Sequence, residues 1–242
     1  MPLKSGNLAI KDETPQLSIS MSTPNRPCIL LFSGGRDSTI SALRLASRFD
    51  RLTLLTVTSE HLSGIQAVKQ RLFELRKHLP SSTRWIQISQ PRPKTPTSLI
   101  AATCLPCHRA YITCGVCLAT ISKISDLALG YTSYQSDWPE QTKNATNRLR
   151  SLLHKIGINL QLPVYDLISK ESARQELENH GLPPIAMEQK CSKQINNIEL
   201  ETSLLSRELA AWEHSVDSEI KKTSWSEINV LDDITIGQLR GI

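Results

Sequence analysis

The sequence predicts an α/β fold in which helices cover both faces of a parallel sheet, a doubly wound arrangement. Short apolar segments rich in leucine and β-branched residues alternate with segments in which apolar residues recur at helical spacing. A glycine-rich turn connects the first apolar segment directly to the first helical one. Strand–helix alternation of this kind is typical of parallel sheets.

The first half of the chain supplies most of this pattern. Three segments are predicted to be strands: residues 29–32, 51–58 and 85–88. Two intervening segments are predicted to be helices: residues 37–46 and 65–79. Since the carboxyl ends of parallel strands meet at one edge of a sheet, we expect the ligand site at that edge.

The second half is less regular. Prolines 91, 93 and 96 interrupt the pattern ahead of closely spaced cysteines. The elements predicted after this break are helices at 117–126, 142–155, 170–180 and 198–221, a strand at 127–129, a loop at 132–140 and an extended segment at 160–164. The last helix is predicted to be amphipathic, with one apolar face formed by Leu205, Leu209, Trp212, Val216 and Ile220.

Length and composition limit the class of protein. The 242 residues carry a net charge of +5, which permits a nucleic-acid partner without requiring one. No apolar segment approaches the roughly 18–20 residues that span a bilayer, and no signal peptide is visible, so we expect a cytoplasmic protein with no membrane partner. We expect a flexible arm at 1–25, a central domain at 26–194 and a C-terminal helical extension at 195–242.

The turn after the first strand has the composition of an anion-binding site. It reads Ser33-Gly34-Gly35-Arg36-Asp37-Ser38, followed by Thr39. Glycines allow backbone N–H groups to close around an anion, the hydroxyls add donors, and the helix that follows points its positive end at the same place. The alternative is an ordinary turn in which Asp37 and Ser38 only cap the helix.

The cysteines indicate a metal site or redox chemistry. Cys104 and Cys107 form one C-x-x-C pair, and Cys114 and Cys117 form a second. Four thiolates satisfy tetrahedral Zn²⁺, and the proline-bounded segment that holds them is expected to be a loop that needs the metal for order. Cys191 is a further candidate: it can join Cys104, Cys107 and one of the other two cysteines. An iron–sulfur cluster or an unliganded redox pair stays open.

The Ser33–Ser38 turn resembles the PP-loop signature, Ser-Gly-Gly-x-Asp-Ser, of the ATP pyrophosphatase superfamily. The resemblance implies a Rossmann-like fold of the adenine nucleotide alpha hydrolase type and an enzyme that adenylates a substrate oxygen, releasing AMP and pyrophosphate. It implies ATP and Mg²⁺ as cofactors and catalytic roles for Arg36, Asp37 and Lys170. The residues that it places at the nucleotide or the substrate are Ser33, Gly34, Gly35, Asp37, Ser38, Thr39, Gly130, Asp137 and Glu140.

Two branches of the superfamily are similar to the rest of the chain. Residues 136–140 and Ser169-Lys170-Glu171 resemble segments of 7-cyano-7-deazaguanine synthases, and Cys191 stands where that family has the first of its zinc-binding cysteines. The sequence favours that branch, which implies a deazapurine-like small-molecule substrate and zinc.

The competing branch is the tRNA thiolases. Cys104, Cys107 and Cys191 follow the spacing of the thiolase cysteines, and Leu129-Gly130-Tyr131 stands at their Leu-Gly-His position, although the paired aspartates of that family do not follow. This branch implies sulfur transfer to a base and a tRNA or protein partner. A homo-oligomer is expected in either case, and a nucleotide-binding module without catalysis remains the third alternative.

Overall fold

The computed structural model describes residues 26–90, 103–192 and 199–239, so the expected arm at 1–25 and the prolines at 91–96 lie outside the described residues. The strands are β1 (Pro27–Leu31), β2 (Arg51–Thr58), β3 (Leu62–Ser63), β4 (Arg84–Ser89), β5 (Asp126–Leu129), β6 (Asn159–Gln161), β7 (Lys190–Cys191) and β8 (Asn229–Thr235). The helices are α1 (Arg36–Ala46), α2 (Ile65–Leu75), α3 (Leu105–Ser122), α4 (Lys143–Lys155), α5 (Lys170–Asn179) and α6 (Thr202–Lys222).

Six of the strands form one sheet in the order β6-β5-β1-β2-β4-β8. The first five are parallel, and β1 lies at the centre: Ile29 is in register with Thr53 of β2 on one side and with Leu127 of β5 on the other. The predicted doubly wound α/β fold is therefore confirmed. β8, which runs antiparallel along β4, was not predicted from the sequence.

The two faces of the sheet carry separate hydrophobic cores. Helices α3, α4 and α6 cover one face, where Ile29 and Leu127 point. Helices α1, α2 and α5 cover the other face, where Cys28 and Leu30 point. Because successive residues of a strand alternate between faces, a continuous apolar strand such as β1 is what a sheet covered on both sides requires.

The cysteine segment was expected to be a loop, and this expectation is wrong. Residues 105–122 form α3, and most of that helix is buried. Pro106 lies in its first turn, where the missing N–H costs nothing. Gly115 allows the close packing, because a Cβ there would lie 3.0 Å from Leu127 Cδ1. The segment is thus ordered as a helix whose residues are buried against the sheet.

The C-terminal helix packs as its predicted apolar face requires. Leu209, Trp212 and Val216 of α6 are buried, and α6 lies against α3. The indole Nε1 of Trp212 donates a hydrogen bond to the carbonyl oxygen of Leu105 at 3.0 Å. The region from 199 to 239 therefore contributes a core helix and an edge strand to the domain. Within the described ranges, no helix is both long and apolar enough to cross a membrane.

We predict that Trp212→Ala lowers the free energy of unfolding by about 3–5 kcal/mol, because it leaves a large cavity between α3 and α6. The variant also removes the hydrogen bond from the indole to the carbonyl oxygen of Leu105. Urea unfolding followed by circular dichroism measures the change. The matched control is Trp225→Ala, at a tryptophan that is only partly buried at the edge of the same core, and it should cost clearly less. Equal losses for the two variants would contradict this view of α6.

Candidate functional site

The Ser33–Ser38 turn lies at the carboxyl end of β1 and leads directly into α1. Gly34 has φ +81°, a left-handed conformation, and Gly35 is the N-terminal cap of α1. The Ser33 and Ser38 hydroxyls lie 3.1 Å apart. Thr39 faces inward: it is fully buried and its hydroxyl donates to the Gly35 carbonyl oxygen at 2.7 Å. The turn therefore presents two serine hydroxyls and the free N–H groups of a helix N-terminus at one place.

Two glycines let other segments approach this turn closely. A Cβ on Gly34 would lie 3.0 Å from the carbonyl oxygen of Met187, and one on Gly130 would lie 3.0 Å from the backbone nitrogen of Ser38. Gly130 follows β5, the strand next to β1. Gly130 packs against the first turn of α1 and lines the cavity, and its role in binding stays a prediction.

A cavity of about 380 Å³ opens beside the turn. Its polar lining includes Ser33, Arg36, Asp37 and Gln135. Its apolar lining includes Leu31, Leu55, Val57, Leu62 and Leu129. Such a volume with mixed walls is the size of a nucleotide-binding pocket.

Asp37 is held by the segment that follows β5. Its Oδ1 accepts a hydrogen bond from the Tyr134 hydroxyl at 2.7 Å, and its Oδ2 accepts one from Gln135 Nε2 at 2.8 Å. Burial raises the pKa of Asp37, while these two hydrogen bonds and the charge of Arg36 oppose the rise and the charge of Glu188 adds to it. Tyr134 and Gln135 were not predicted as site residues. Their position at the carboxyl end of a parallel strand is the signal that would have found them.

The segment 183–191 crosses over the turn. The buried Arg71 of α2 anchors it by donating to the carbonyl oxygens of Pro183 and Ile185 at 3.0 and 2.6 Å. Met187 N then donates to Gly34 O at 3.3 Å, which brings Glu188 onto the cavity wall. This crossing makes residues far apart in sequence part of one site.

The structure corrects the four-cysteine zinc hypothesis. Cys107 and Cys114 lie on the same helix seven residues apart, which is about 10 Å along its axis, whereas the sulfurs around one zinc ion are about 4 Å apart. Cys114 is fully buried, and Cys117 Sγ contacts the carbonyl oxygen of Thr223 at 3.4 Å. The two C-x-x-C pairs therefore cannot share one ion.

Cys104, Cys107 and Cys191 instead lie near one another around Tyr111, and Cys191 is paired with Leu62. Tyr111 and Leu62 line the cavity, whereas the three cysteines lie behind this lining. All three are half-buried free thiols, and Cys191 reaches this place because β7 pairs with β3. Burial raises the pKa of Cys104, and the charges of Glu140, Cys107 and Cys191 raise it further. Across residues 26–90, 103–192 and 199–239, no group of three or more Cys, His, Asp or Glu side chains is arranged to hold a metal ion. The zinc, iron–sulfur and magnesium predictions stay predictions.

A histidine, a tyrosine and a glutamate form a further group beside these cysteines. The His108 ring lies with Nδ1 2.6 Å from the Tyr131 hydroxyl and Nε2 3.4 Å from Glu140 Oε1. Glu140, predicted to bind a cofactor or substrate, is thus buried against His108 and does not line the cavity. Burial lowers the pKa of His108, and the charge of Glu140 opposes that effect. His108 and Tyr131 themselves line the cavity.

The remaining predicted residues are divided by the fold. Arg36 lies on the cavity wall, and within the described part of the chain its Nε is buried without a hydrogen-bond partner. Lys170 begins α5 and is exposed, and Asp137 is exposed in the segment after β5. Neither Lys170 nor Asp137 lines the cavity, so their roles remain predictions.

Comparison with solved structures supplies the fold-level relationships of the chain. A 4-thiouridine synthetase, solved in complex with RNA and with bound ATP, matches 86% of this chain and 55% of its own at 13% identity and a TM-score of 0.55. The U34-tRNA thiolase NcsA from Methanococcus maripaludis, solved with its [4Fe-4S] cluster, matches 82% of this chain and 71% of its own at 16% identity and a TM-score of 0.46.

A predicted subunit of tRNA methyltransferase from Methanocaldococcus jannaschii covers 69% of this chain at 14% identity and a TM-score of 0.39. Neither protein-family models nor curated proteins give a match. The chain spans about half the length of the 4-thiouridine synthetase chain. At this identity the likeness concerns architecture alone: the chain has the mostly parallel α/β fold of 4-thiouridine synthetase.

Proposed function

We propose that this chain is an ATP-dependent, AMP-forming enzyme of the PP-loop type that activates a base of RNA for sulfur transfer. The single observation that carries the proposal is the juxtaposition of the Ser33–Ser38 turn, the cavity and the thiols of Cys104, Cys107 and Cys191 at one edge of the sheet. Each of the three supplies a different part of the reaction.

The turn is suited to the β- and γ-phosphates of ATP. Backbone N–H groups at the start of α1 and the hydroxyls of Ser33 and Ser38 converge there, and a helix N-terminus favours bound anions. The Arg36 guanidinium on the cavity wall adds positive charge. The apolar part of the lining, contributed by β1, β2, β3 and β5, suits the adenine ring.

With the terminal phosphates held in the turn, the α-phosphorus is left open to an acceptor. A carbonyl oxygen of the acceptor attacks it and pyrophosphate leaves, which makes that oxygen part of a good leaving group. Hydrosulfide from a sulfide donor then attacks the carbon that bears this oxygen, AMP departs with the oxygen, and loss of the proton leaves a thiocarbonyl. Burial holds the Cys104 thiol protonated, so it must lose its proton to hold the donor's sulfur beside that carbon.

The fold supports an RNA acceptor, because 4-thiouridine synthetase, which shares it, was solved with RNA and ATP bound. The second candidate is a 7-cyano-7-deazaguanine synthase-like activity on a small carboxylate. Its support is the resemblance of residues 136–140 and 169–171, but Asp137 and Lys170 from those segments do not line the cavity. Accumulation of AMP with a deazapurine carboxylate and not with RNA would favour this second candidate.

Gly35→Val tests the phosphate site. A Cβ on Gly35 meets only side-chain atoms, Glu188 Oε2 at 3.1 Å and Ser33 Oγ at 3.2 Å, and the residue has an ordinary negative φ. We therefore expect the variant to fold but to bind ATP about a hundredfold more weakly by calorimetry, because several charge-assisted contacts are lost together. Gly237→Val, at another crowded glycine away from the cavity, is the control and should bind ATP normally. Wild-type affinity in folded Gly35→Val would exclude the turn as the phosphate site.

The bond that breaks in ATP distinguishes this enzyme type from kinases and ordinary ATPases. Because the turn holds the two terminal phosphates, turnover with unmodified tRNA should release AMP and pyrophosphate in equal amounts. Chromatography of nucleotides together with a coupled pyrophosphate assay measures both. Release of ADP and inorganic phosphate would show that the phosphates bind in a different register and that the proposal is incorrect.

Cys104→Ser, at the N-cap of α3, and Cys117→Ser, within α3, form a matched pair. Cys104 lies beside the cavity, whereas Cys117 lies near Thr223 at the other end of the helix. We expect Cys104→Ser to abolish the thionucleoside content of the tRNA product, measured by mass spectrometry, while ATP binding stays unchanged. Cys117→Ser should retain the modification. Full activity of Cys104→Ser would remove the cysteines from the mechanism and leave only the ATP-dependent step.

A further inference from the structure

Two glutamines connect Asp37 to the backbone through a chain of hydrogen bonds. Thr132 N donates to Gln141 Oε1 at 3.0 Å, Gln141 Nε2 donates to Gln135 Oε1 at 2.9 Å, and Gln135 Nε2 donates to Asp37 Oδ2 at 2.8 Å. We refer to Thr132, Gln141, Gln135 and Asp37 as the amide relay. It runs from the segment after β5 to the first turn of α1.

The direction of the amide relay is fixed by its first member. A backbone N–H can only donate, so it requires the carbonyl oxygen of Gln141. The amide nitrogen of Gln141 must then face Gln135, which places the carbonyl oxygen of Gln135 toward Gln141 and its NH₂ toward Asp37. Asp37 Oδ2 therefore accepts this hydrogen bond from Gln135. An ionised carboxylate accepts hydrogen bonds on both oxygens.

Two tyrosines, Tyr165 and Tyr134, form further hydrogen bonds with residues of the amide relay. The Tyr165 hydroxyl donates to the backbone carbonyl oxygen of Gln141 at 2.9 Å, which restrains the backbone at this residue. Tyr134 donates to Asp37 Oδ1 and also accepts from Gln135 Nε2 at 3.2 Å. Both oxygens of the Asp37 carboxylate thus accept hydrogen bonds. The charge of Arg36 lowers the pKa of Asp37, and the charge of Glu188 raises it.

We propose that Gln135 and Gln141 are positioning residues that hold the Asp37 carboxylate ionised and fixed beside the phosphate-binding turn. The inference rests on the proposed ATP site. The relay opposes the burial that disfavours the charged form of Asp37. Since both glutamines also line the cavity, direct contact with the nucleotide is the competing explanation, and the test must separate the two.

A double-mutant cycle with ATP and Mg²⁺ as the ligand makes that separation. Gln135→Met and Gln141→Met remove the donors with little change in side-chain volume, and each is made in the native chain and together with Asp37→Asn. Calorimetry gives the four dissociation constants of each cycle. Gln161→Met is the control, because Gln161 Nε2 donates to Asp126 Oδ1 at 2.7 Å in an equivalent glutamine–aspartate contact that does not line the cavity.

We expect Gln135→Met and Gln141→Met to weaken ATP binding about tenfold in the native chain, as loss of a hydrogen bond to a charged group does. Neither should have an effect once Asp37 is asparagine, and Gln161→Met should bind ATP as the native protein does. Equal losses in both backgrounds, or an Asp37→Asn protein with native affinity, would overturn the inference. If the native protein itself fails to bind ATP, the proposed function fails instead.

Discussion

The site depends on how closely the end of β5 approaches the first turn of α1. A Cβ at Gly130 would lie 3.0 Å from the backbone nitrogen of Ser38 and 3.1 Å from its Cα. These are backbone atoms at the start of a helix, so no side chain can rotate away to relieve the contact. The absence of a side chain at residue 130 lets the segment after β5 pass directly beside the turn. Tyr134 and Gln135 then reach Asp37 from that segment, and Tyr131 reaches His108.

A second constraint brings in the other side of the cavity. Arg71 is fully buried, and its guanidinium donates to two backbone carbonyls and to Glu74. Removing one partner of a buried ion pair such as Arg71–Glu74 leaves the other charge unpaired, at a cost of about 3–5 kcal/mol. The segment 183–191 is therefore fixed against α2, and both Glu188 and Cys191 owe their position to it. A lysine at residue 71 could not reproduce the planar, forked geometry that reaches both carbonyl oxygens.

The parts of the fold that follow from local pattern could be predicted. β2 was predicted with its exact bounds, and α1 and the apolar face of α6 were close to their observed positions, because in each case periodicity and burial agree. β8 was missed since it is a solvent-exposed edge strand that carries Asp232 and Asp233 and so lacks an apolar run. In the site, the turn was visible as a local motif. Glu188, Tyr134 and the two glutamines of the amide relay were not, because strand order and a crossing segment bring them to the site rather than spacing in the sequence.

The cysteines show why spacing alone was insufficient. Two identical C-x-x-C pairs in one short stretch look equivalent in the sequence, and a loop could fold both around one ion. A helix cannot, because the seven residues from Cys107 to Cys114 correspond to about 10 Å along the helix axis. α3 therefore places Cys104 and Cys107 at the carboxyl edge of the sheet, where Cys191 and the cavity lie, and places Cys114 and Cys117 in and beside the core. Secondary structure thus decides which thiols meet, and it brings the first pair together with Cys191.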